Sequence, residues 1–286
     1  MNEADFIASL RGLPLHTGAR GLEDDCAVLE IGGETLIITH DMMAEGTHFR
    51  ADADMADVAW KLVAANLSDL ASKGAEPIGM LLGHSLGEGD ERFLAGLHEI
   101  LSKYDVPLLG GDTISAKGPR TLGLTAIGRA THNPVPDRGG AQVGHDLFVT
   151  GTLGRAMLGF GGNPDHLDAY NRPCPLVTEG QKLAPCVSAM MDISDGLLLD
   201  CWRMANASAN VAFTLERKSI PVADQSRFDE CIRWGDDYQL LFTADPNVNL
   251  PIPATRIGTV TNSDLSQLLL DEEILTPKDG LGYQHS

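Results

Sequence analysis

Carboxylates recur in this chain at the edges of apolar runs. They stand in EDDCAV (Asp24, Asp25), ITHDMMAEGTHF (Asp41, with Glu45 and His48), NLSDLASKGA (Asp69), LLGGDT (Asp112) and MMDISDGLLLDC (Asp192, Asp195, Asp200). Carboxylates set among Met, Ile and Leu are costly unless something positive meets them. If several converge, two of them ~4 Å apart repel by about 4 kcal/mol at an effective dielectric of ~20. Such a cluster requires shifted pKa values or divalent cations. Oxygen donors without paired Cys or His point to Mg²⁺ rather than zinc. Mg²⁺ on scattered carboxylates usually shares its shell with nucleotide phosphates. Taken singly, each residue has an ordinary reading: Asp24 and Asp41 as turn residues, Asp69 as a solvated helix position, Asp195 as a helix N-cap before Gly196. No P-loop, G-x-G-x-x-G, protein-kinase or EF-hand pattern accompanies them. The residues alone lead to an acidic Mg²⁺ cleft suited to a phosphate compound.

The elements that would position these side chains are legible from periodicity. CAVLEI and TLIITHD read as strands joined by GGE, a hairpin-type connection. MADVAWKLVAANLSDLASKG carries Trp60, Val63, Leu67 and Leu70 at helical spacing and stops at Gly74. On that helix Asn66, Asp69 and Lys73 form a polar stripe beside the apolar one. IGMLLGHSL predicts a strand and ERFLAGLHEILSKY a helix, and VPLL and TLGLTAIGRA predict strands flanking a loop, GGDTISAKGP. Asp41 and Asp112 each follow an apolar run, where a strand end delivers a side chain into a cleft. The Pro/Gly-rich stretch THNPVPDRGGAQVGHD marks a domain boundary, giving residues 1–133 and 134–286. The second half mixes strands (DLFVTG, VAFTL, QLLFTA, TRIGTV) with helices, GLLLDCWRMANAS being the clearest. There is no doubly wound alternation, so the fold class expected is α+β.

Composition narrows the function classes. The 286 residues carry 21 Lys and Arg against 40 Asp and Glu, a formal charge of −19. That surface repels nucleic-acid phosphates and anionic lipid, so neither is an expected partner. Five cysteines without a C-x-x-C pair argue against zinc and against a disulfide framework. MNEADFIASLRGL reads as a short amphipathic helix rather than a signal peptide, and no run approaches the ~20 apolar residues of a membrane span. A cytoplasmic location is expected.

These loops, in this order, resemble thiamine-monophosphate kinase, a family in the superfamily of aminoimidazole ribonucleotide synthetase and selenophosphate synthetase. The pieces that carry the resemblance are DDCAV, D-x-x-x-x-G-x-H-F from Asp41 to Phe49, NLSDLASKGA-x-P, GGDT, DISDGL and DDYQLLF. The resemblance implies a two-domain aminoimidazole ribonucleotide synthetase-like fold. Its N-terminal domains (here 1–133) bind ATP and Mg²⁺ and pair into a β-barrel across a homodimer, and 134–286 form an α+β domain. It implies Mg²⁺ on Asp24, Asp41, Asp69, Asp112 and Asp192, with Thr39 and His40 beside them and Asp195 on a further ion. Gly111, Asp112, Arg138 and Ser194 match nucleotide-binding positions, and His48, Asp236 and Tyr283 match contacts to thiamine. The reaction implied is transfer of the γ-phosphoryl group of ATP onto thiamine monophosphate, giving thiamine diphosphate and ADP, with no side chain serving as nucleophile or base.

The chain departs from the family pattern at Glu23, where the family has Gly, and at His40, where it has a small hydroxyl residue. The family's GGEDYEL appears as WGDDYQL, so Trp234 replaces a Gly and Asp236 a Glu. Among rival synthetases, selenophosphate synthetase calls for an N-terminal Cys, yet the first here is Cys26. A hydrogenase-maturation relative calls for a C-terminal Cys, and this sequence reads GYQHS there. A silent nucleotide-binding regulator is disfavoured by retention of the matching aspartates.

Overall fold

The computed structural model describes residues 3–263 and 267–284. After helix α1 (Glu3–Leu10), the strands β1 (Ala27–Ile31) and β2 (Glu34–Ala44) form the expected hairpin, turning through Gly32 and Gly33. Helix α2 (Met55–Ser72) leads to β3 (Ala75–Ser85), helix α3 (Asp90–Tyr104), β4 (Leu108–Ile114) and β5 (Thr121–Ala130). These five strands make one sheet in the order β1-β2-β5-β3-β4, antiparallel except for β3 beside β4.

The second sheet begins at β6 (Asp146–Val149). Helices α4 (Arg155–Phe160), α5 (Leu167–Asn171) and α6 (Val177–Leu183) precede β7 (Ala189–Asp192), then come α7 (Leu197–Ala207), β8 (Val211–Leu215), α8 (Phe228–Cys231), β9 (Leu240–Ala244), β10 (Thr255–Asn262), β11 (Leu268–Leu270) and β12 (Glu273–Ile274). Its order is β12-β11-β8-β10-β6-β9-β7. Both sheets are open in this chain, and the fold is mixed α+β. Among the described residues no helix is long and apolar enough to cross a membrane.

Helix α2 organises the molecule. Asp54 caps it by accepting a hydrogen bond from the Ala56 amide at 2.9 Å. It stops at Gly74, whose φ of +60° and contact with Ala184, only 2.5 Å from where a Cβ would stand, both demand glycine. The helix packs on β2, β5, α3, α6 and β7, so it is buried on nearly every side. That explains its Ala- and Leu-rich sequence. Polar residues along it, Lys61, Asn66, Ser68, Asp69 and Ser72, with Lys73 just past its end, therefore face protein or a cavity rather than bulk water. A single apolar cluster joins Leu62, Leu67 and Leu70 of α2 to Met190, Leu240 and Phe242 of the second sheet.

Two local expectations are corrected. The GGDT stretch is strand, not loop: β4 runs through Gly110, Gly111 and Asp112, with Gly111 opposite Leu82 of β3. A Cβ at Gly111 would lie 1.9 Å from the Leu82 carbonyl oxygen, so glycine here permits a close strand approach that composition alone reads as a turn. Asp195 is not the N-cap of α7. Gly196 holds that place with no side-chain cap. Instead Asp200, inside the first turn, accepts the amides of Ser194 (3.2 Å) and Asp195 (3.1 Å) and shapes the bend from behind.

Candidate active site

A cavity of about 380 Å³ opens where the C-terminal half of α2, strand β2 and the bend after β7 meet. Asp41, His48, Asp69, Asp192, Ser194, Asp195, Asp236 and Tyr283 all line it. Five separate stretches are thus brought to one cavity. Hydrogen bonds stitch the far side: the Asp236 amide donates to the Ser194 carbonyl (2.8 Å), Tyr238 to Ile193 (2.8 Å) and Tyr283 to Asp195 (2.9 Å). Gly235 (φ +93°) must be glycine because its Cβ would meet the Ser194 oxygen at 2.3 Å. Asp236 and Tyr238 themselves sit at positive φ (57° and 50°), a strained conformation held by this stitching.

The metal-capable end is built on Asp25, Asp69 and Asp192, each offering a carboxylate oxygen within 4.8 Å of the others. Asp69 accepts the Thr39 hydroxyl and Asp192 accepts Ser68 Oγ at 2.5 Å. Burial pushes the Asp192 carboxyl up to about 8, with the Asp25 charge adding to it. Burial and the charges of Asp25 and Asp195 push Asp41 up to about 6. Asp69 is raised well above the ordinary range by burial and by Asp41 and Asp192. Burial would raise Asp25 too, but Arg138 and Lys73 beside it outweigh that and hold it low. Arg138 and Lys73 thus favour the ionised form of Asp25, while burial disfavours it at Asp69 and Asp192; a bound cation would offset that cost. The donors are all oxygen, which fits a hard cation such as Mg²⁺.

Other expected site residues lie elsewhere. Asp24, like Asp25, is outside the cavity lining; its buried carboxylate pairs with Arg20 (2.5 Å) and Lys73 (2.5 Å). Its neighbour Asp25 occupies the metal-capable position. The Lys73 ammonium bridges both carboxylates, and the sequence does not say which of the two meets Asp69 and Asp192. Arg138 is buried against Asp25, and its Nε has no hydrogen-bond partner. Thr39 lies behind Asp69 on the buried face of β2. His40 points to the opposite face, where its ring meets Thr125 Oγ1 at 2.8 Å and packs over Gly123, so its bulk does not crowd the cavity. Asp41 lies inside β2 rather than at its end. Gly111 and Asp112 sit on β4, exposed along its whole length and outside the cavity lining.

The opposite end of the cavity is aromatic. Trp234 packs on Phe160 with ring centroids 5.0 Å apart, and Phe160 meets Tyr170 edge-on at 5.2 Å. Asp236 accepts from Lys61 Nζ at 2.5 Å and from the Tyr238 hydroxyl at 3.0 Å. The His48 ring is oriented locally, its Nδ1 accepting the Ala44 amide at 3.0 Å. Lys61, Phe160, Tyr170 and Tyr238 were not singled out from sequence. Lys61 had a usable signal: with Ala65 and Asp69 it falls at i, i+4 and i+8, one face of α2. Tyr238 stands inside DDYQLLF, two positions after Asp236, whereas Phe160 and Tyr170 come from a separate stretch that carried no signal.

Comparison with known proteins gives the family. Residues 23–130 match the family described as AIR synthase related protein, N-terminal domain. The thiamine-monophosphate kinase of Escherichia coli strain K12 is 34% identical across 93% of this chain and 91% of its own length. That of Methanospirillum hungatei JF-1 is 33% identical, covering 100% and 99%. The structure of AaThiL complexed with AMPPCP and TMP superposes with a TM-score of 0.88 over 100% of this chain and 97% of that one, at 24% identity. Identity at this level over nearly full length, with the fold matched throughout, places the chain in the thiamine-monophosphate kinase family of enzymes.

Proposed function

We propose that this cavity transfers the γ-phosphoryl group of ATP to the phosphate of thiamine monophosphate, yielding thiamine diphosphate and ADP. The observation that carries the reading is a single cavity with a carboxylate cluster at one end and an aromatic, singly acidic pocket at the other. That matches the two demands of the reaction, a polyphosphate handled with metal and a flat cationic heterocycle held by aromatics and a carboxylate. Ligand pairs of the same kind, AMPPCP and TMP, occupy the related AaThiL structure.

In this reading Asp25, Asp69 and Asp192 hold Mg²⁺, with Asp41 and Asp195 at the rim and Thr39, the backbone at His40 and Asp112 as further members of the set, while Asp24 is held in an ion pair behind it. Bound there, Mg²⁺ would neutralise the charge of two phosphates that must approach in line. The protein's own groups align and orient. His48, Asp236 and Tyr283 hold the thiamine moiety, Trp234 offers a ring face to it, and Gly111, Arg138 and Ser194 contact the nucleotide. No side chain is needed as a base, because a phosphate monoester, with a second pKa of ≈ 6, is already largely dianionic at neutral pH.

A homodimer belongs to the same proposal. The sheet face opposite α2 leaves Met42 and Leu81 exposed, and the edge strand β4 leaves Leu108, Leu109 and Ile114 exposed. A second copy covering this surface would remove an exposed apolar edge and could close two open sheets into a barrel. The proposed contacts of Gly111 and Asp112 lie on that edge. Phosphorus NMR of a reaction with ATP, Mg²⁺ and thiamine monophosphate tests the chemistry. A diphosphate ester with ADP is expected; AMP as the leaving product, or phosphorylation of free thiamine, would refute it.

A further inference from the structure

Six acidic side chains, Glu3, Asp41, Asp69, Asp192, Asp195 and Asp236, line the cavity, and Lys61 is the only Lys or Arg among the described residues that does so. Its side chain is 5% exposed, with Nζ 2.5 Å from Asp236 Oδ2 and 3.9 Å from the centre of the Tyr170 ring. An ammonium has three N–H donors. Asp236 takes one and the Tyr170 face attracts the charge. Among the described residues no further hydrogen bond of Nζ to a side chain or carbonyl accompanies these.

Position gives this charge its meaning. Lys61, Ala65 and Asp69 follow one another down the same face of α2, and all three line the cavity. Lys61 therefore stands between the aromatic pocket with Asp236 and the carboxylate cluster at Asp69. An acceptor whose ring occupies the first and whose phosphate meets ATP at the second must carry its phosphate past this ammonium. The cavity's carboxylates favour a cationic ring but repel a dianion, so the phosphate needs a local positive group.

We propose that Lys61 binds the phosphate of the acceptor, shifting part of its hydrogen bonding from Asp236 to a phosphate oxygen when substrate enters. This rests on the acceptor reading above, and it makes Lys61 a selector for phosphorylated over unphosphorylated acceptor. A charge-assisted hydrogen bond of this kind is worth about 10- to 100-fold in affinity.

The test compares binding of thiamine monophosphate and thiamine, by calorimetry with Mg²⁺ present, to the wild-type chain, Asp236→Asn, and Asp236→Asn/Lys61→Met. The Asn background removes the carboxylate that Lys61 would otherwise leave unpaired. Adding Lys61→Met should weaken thiamine monophosphate by about 10- to 100-fold while thiamine changes by less than about threefold. Equal losses for both ligands would overturn the proposal, since they would mean that Lys61 only shapes the pocket. If the Met variant does not fold, Lys61→Gln in the same background gives the same comparison. Wild-type protein that binds the two ligands equally would overturn the acceptor reading and the role of Lys61 together, a result distinguishable because it appears before any substitution.

Discussion

Loading the carboxylate cluster with Mg²⁺ should expel protons, and the geometry sets how many. Metal ligation requires ionised carboxylates. At pH 7, Asp192 at about 8 is roughly 0.9 protonated and Asp41 at about 6 roughly 0.1. Asp69, raised in the same direction, adds to this. Titrating the protein with Mg²⁺ and a non-hydrolysable ATP analogue at pH 7 should therefore release at least about one proton. At pH 9 Asp192 holds only about 0.1, so the release falls by about one. Calorimetry in buffers of different ionisation heat reads this number directly as a slope. The sign carries a second consequence. Carboxyls whose folded pKa is raised bind more protons in the native than in the unfolded chain between pH ~4 and ~8, so metal-free stability falls as pH rises through that window. Each such group contributes a slope of up to ~1.4 kcal/mol per pH unit, and saturating metal should flatten it. A buffer-independent binding heat at pH 7, or metal-free stability that rises from pH 6 to 8, would refute the account of the cluster.

Three further outcomes are expected. Asp25→Asn should lower Mg²⁺ affinity by at least about tenfold by removing a ligand charge, whereas Asp24→Asn should leave it within about threefold and lower stability instead; metal titration and a denaturant melt on both variants separate the two roles. Lys73→Met removes a fully buried ammonium 2.5 Å from Asp24 and 2.9 Å from Asp25, and should cost about 3–5 kcal/mol in urea unfolding because two buried carboxylates each lose a partner and keep only Arg20 or Arg138. A cost below about 1 kcal/mol would mean those carboxylates are satisfied otherwise. Trp234→Gly, which restores the residue the family has there, should raise KM for thiamine monophosphate about 3- to 30-fold and leave KM for ATP unchanged. Equal changes in both would mark Trp234 as packing only.

Much of the site was legible because its parts are local. Asp69 and Asp41 stand on elements whose type follows from periodicity: α2 from its apolar stripe and the stop at Gly74, β2 from the alternation that buries Ile37, Thr39 and Met43. The loop DISDGL was recognisable as a site because its aspartates break an apolar run, whereas WGDDYQL stood out only through the family resemblance. The GGDT segment was misread because Gly-Gly ordinarily marks a turn. Only the neighbouring strand, with the Leu82 carbonyl 1.9 Å from where a Cβ would stand, explains why it is extended.

What the sequence determined by itself was the α+β class, most of the elements, the acidic chemistry and the family resemblance, since each depends on spacing within a few dozen residues. The tertiary structure decided which of two adjacent aspartates meets Asp69 and Asp192. Arg20 holds Asp24, Arg138 holds Asp25 and Lys73 bridges the two, and of these Lys73 and Arg138 arrive from distant segments. It also decided that Lys61 faces Asp236, 175 positions away, and that Trp234, Phe160 and Tyr170 share one wall. Pairings across such separations depend on how α2 is wedged between two sheets, and no local pattern encodes that wedge.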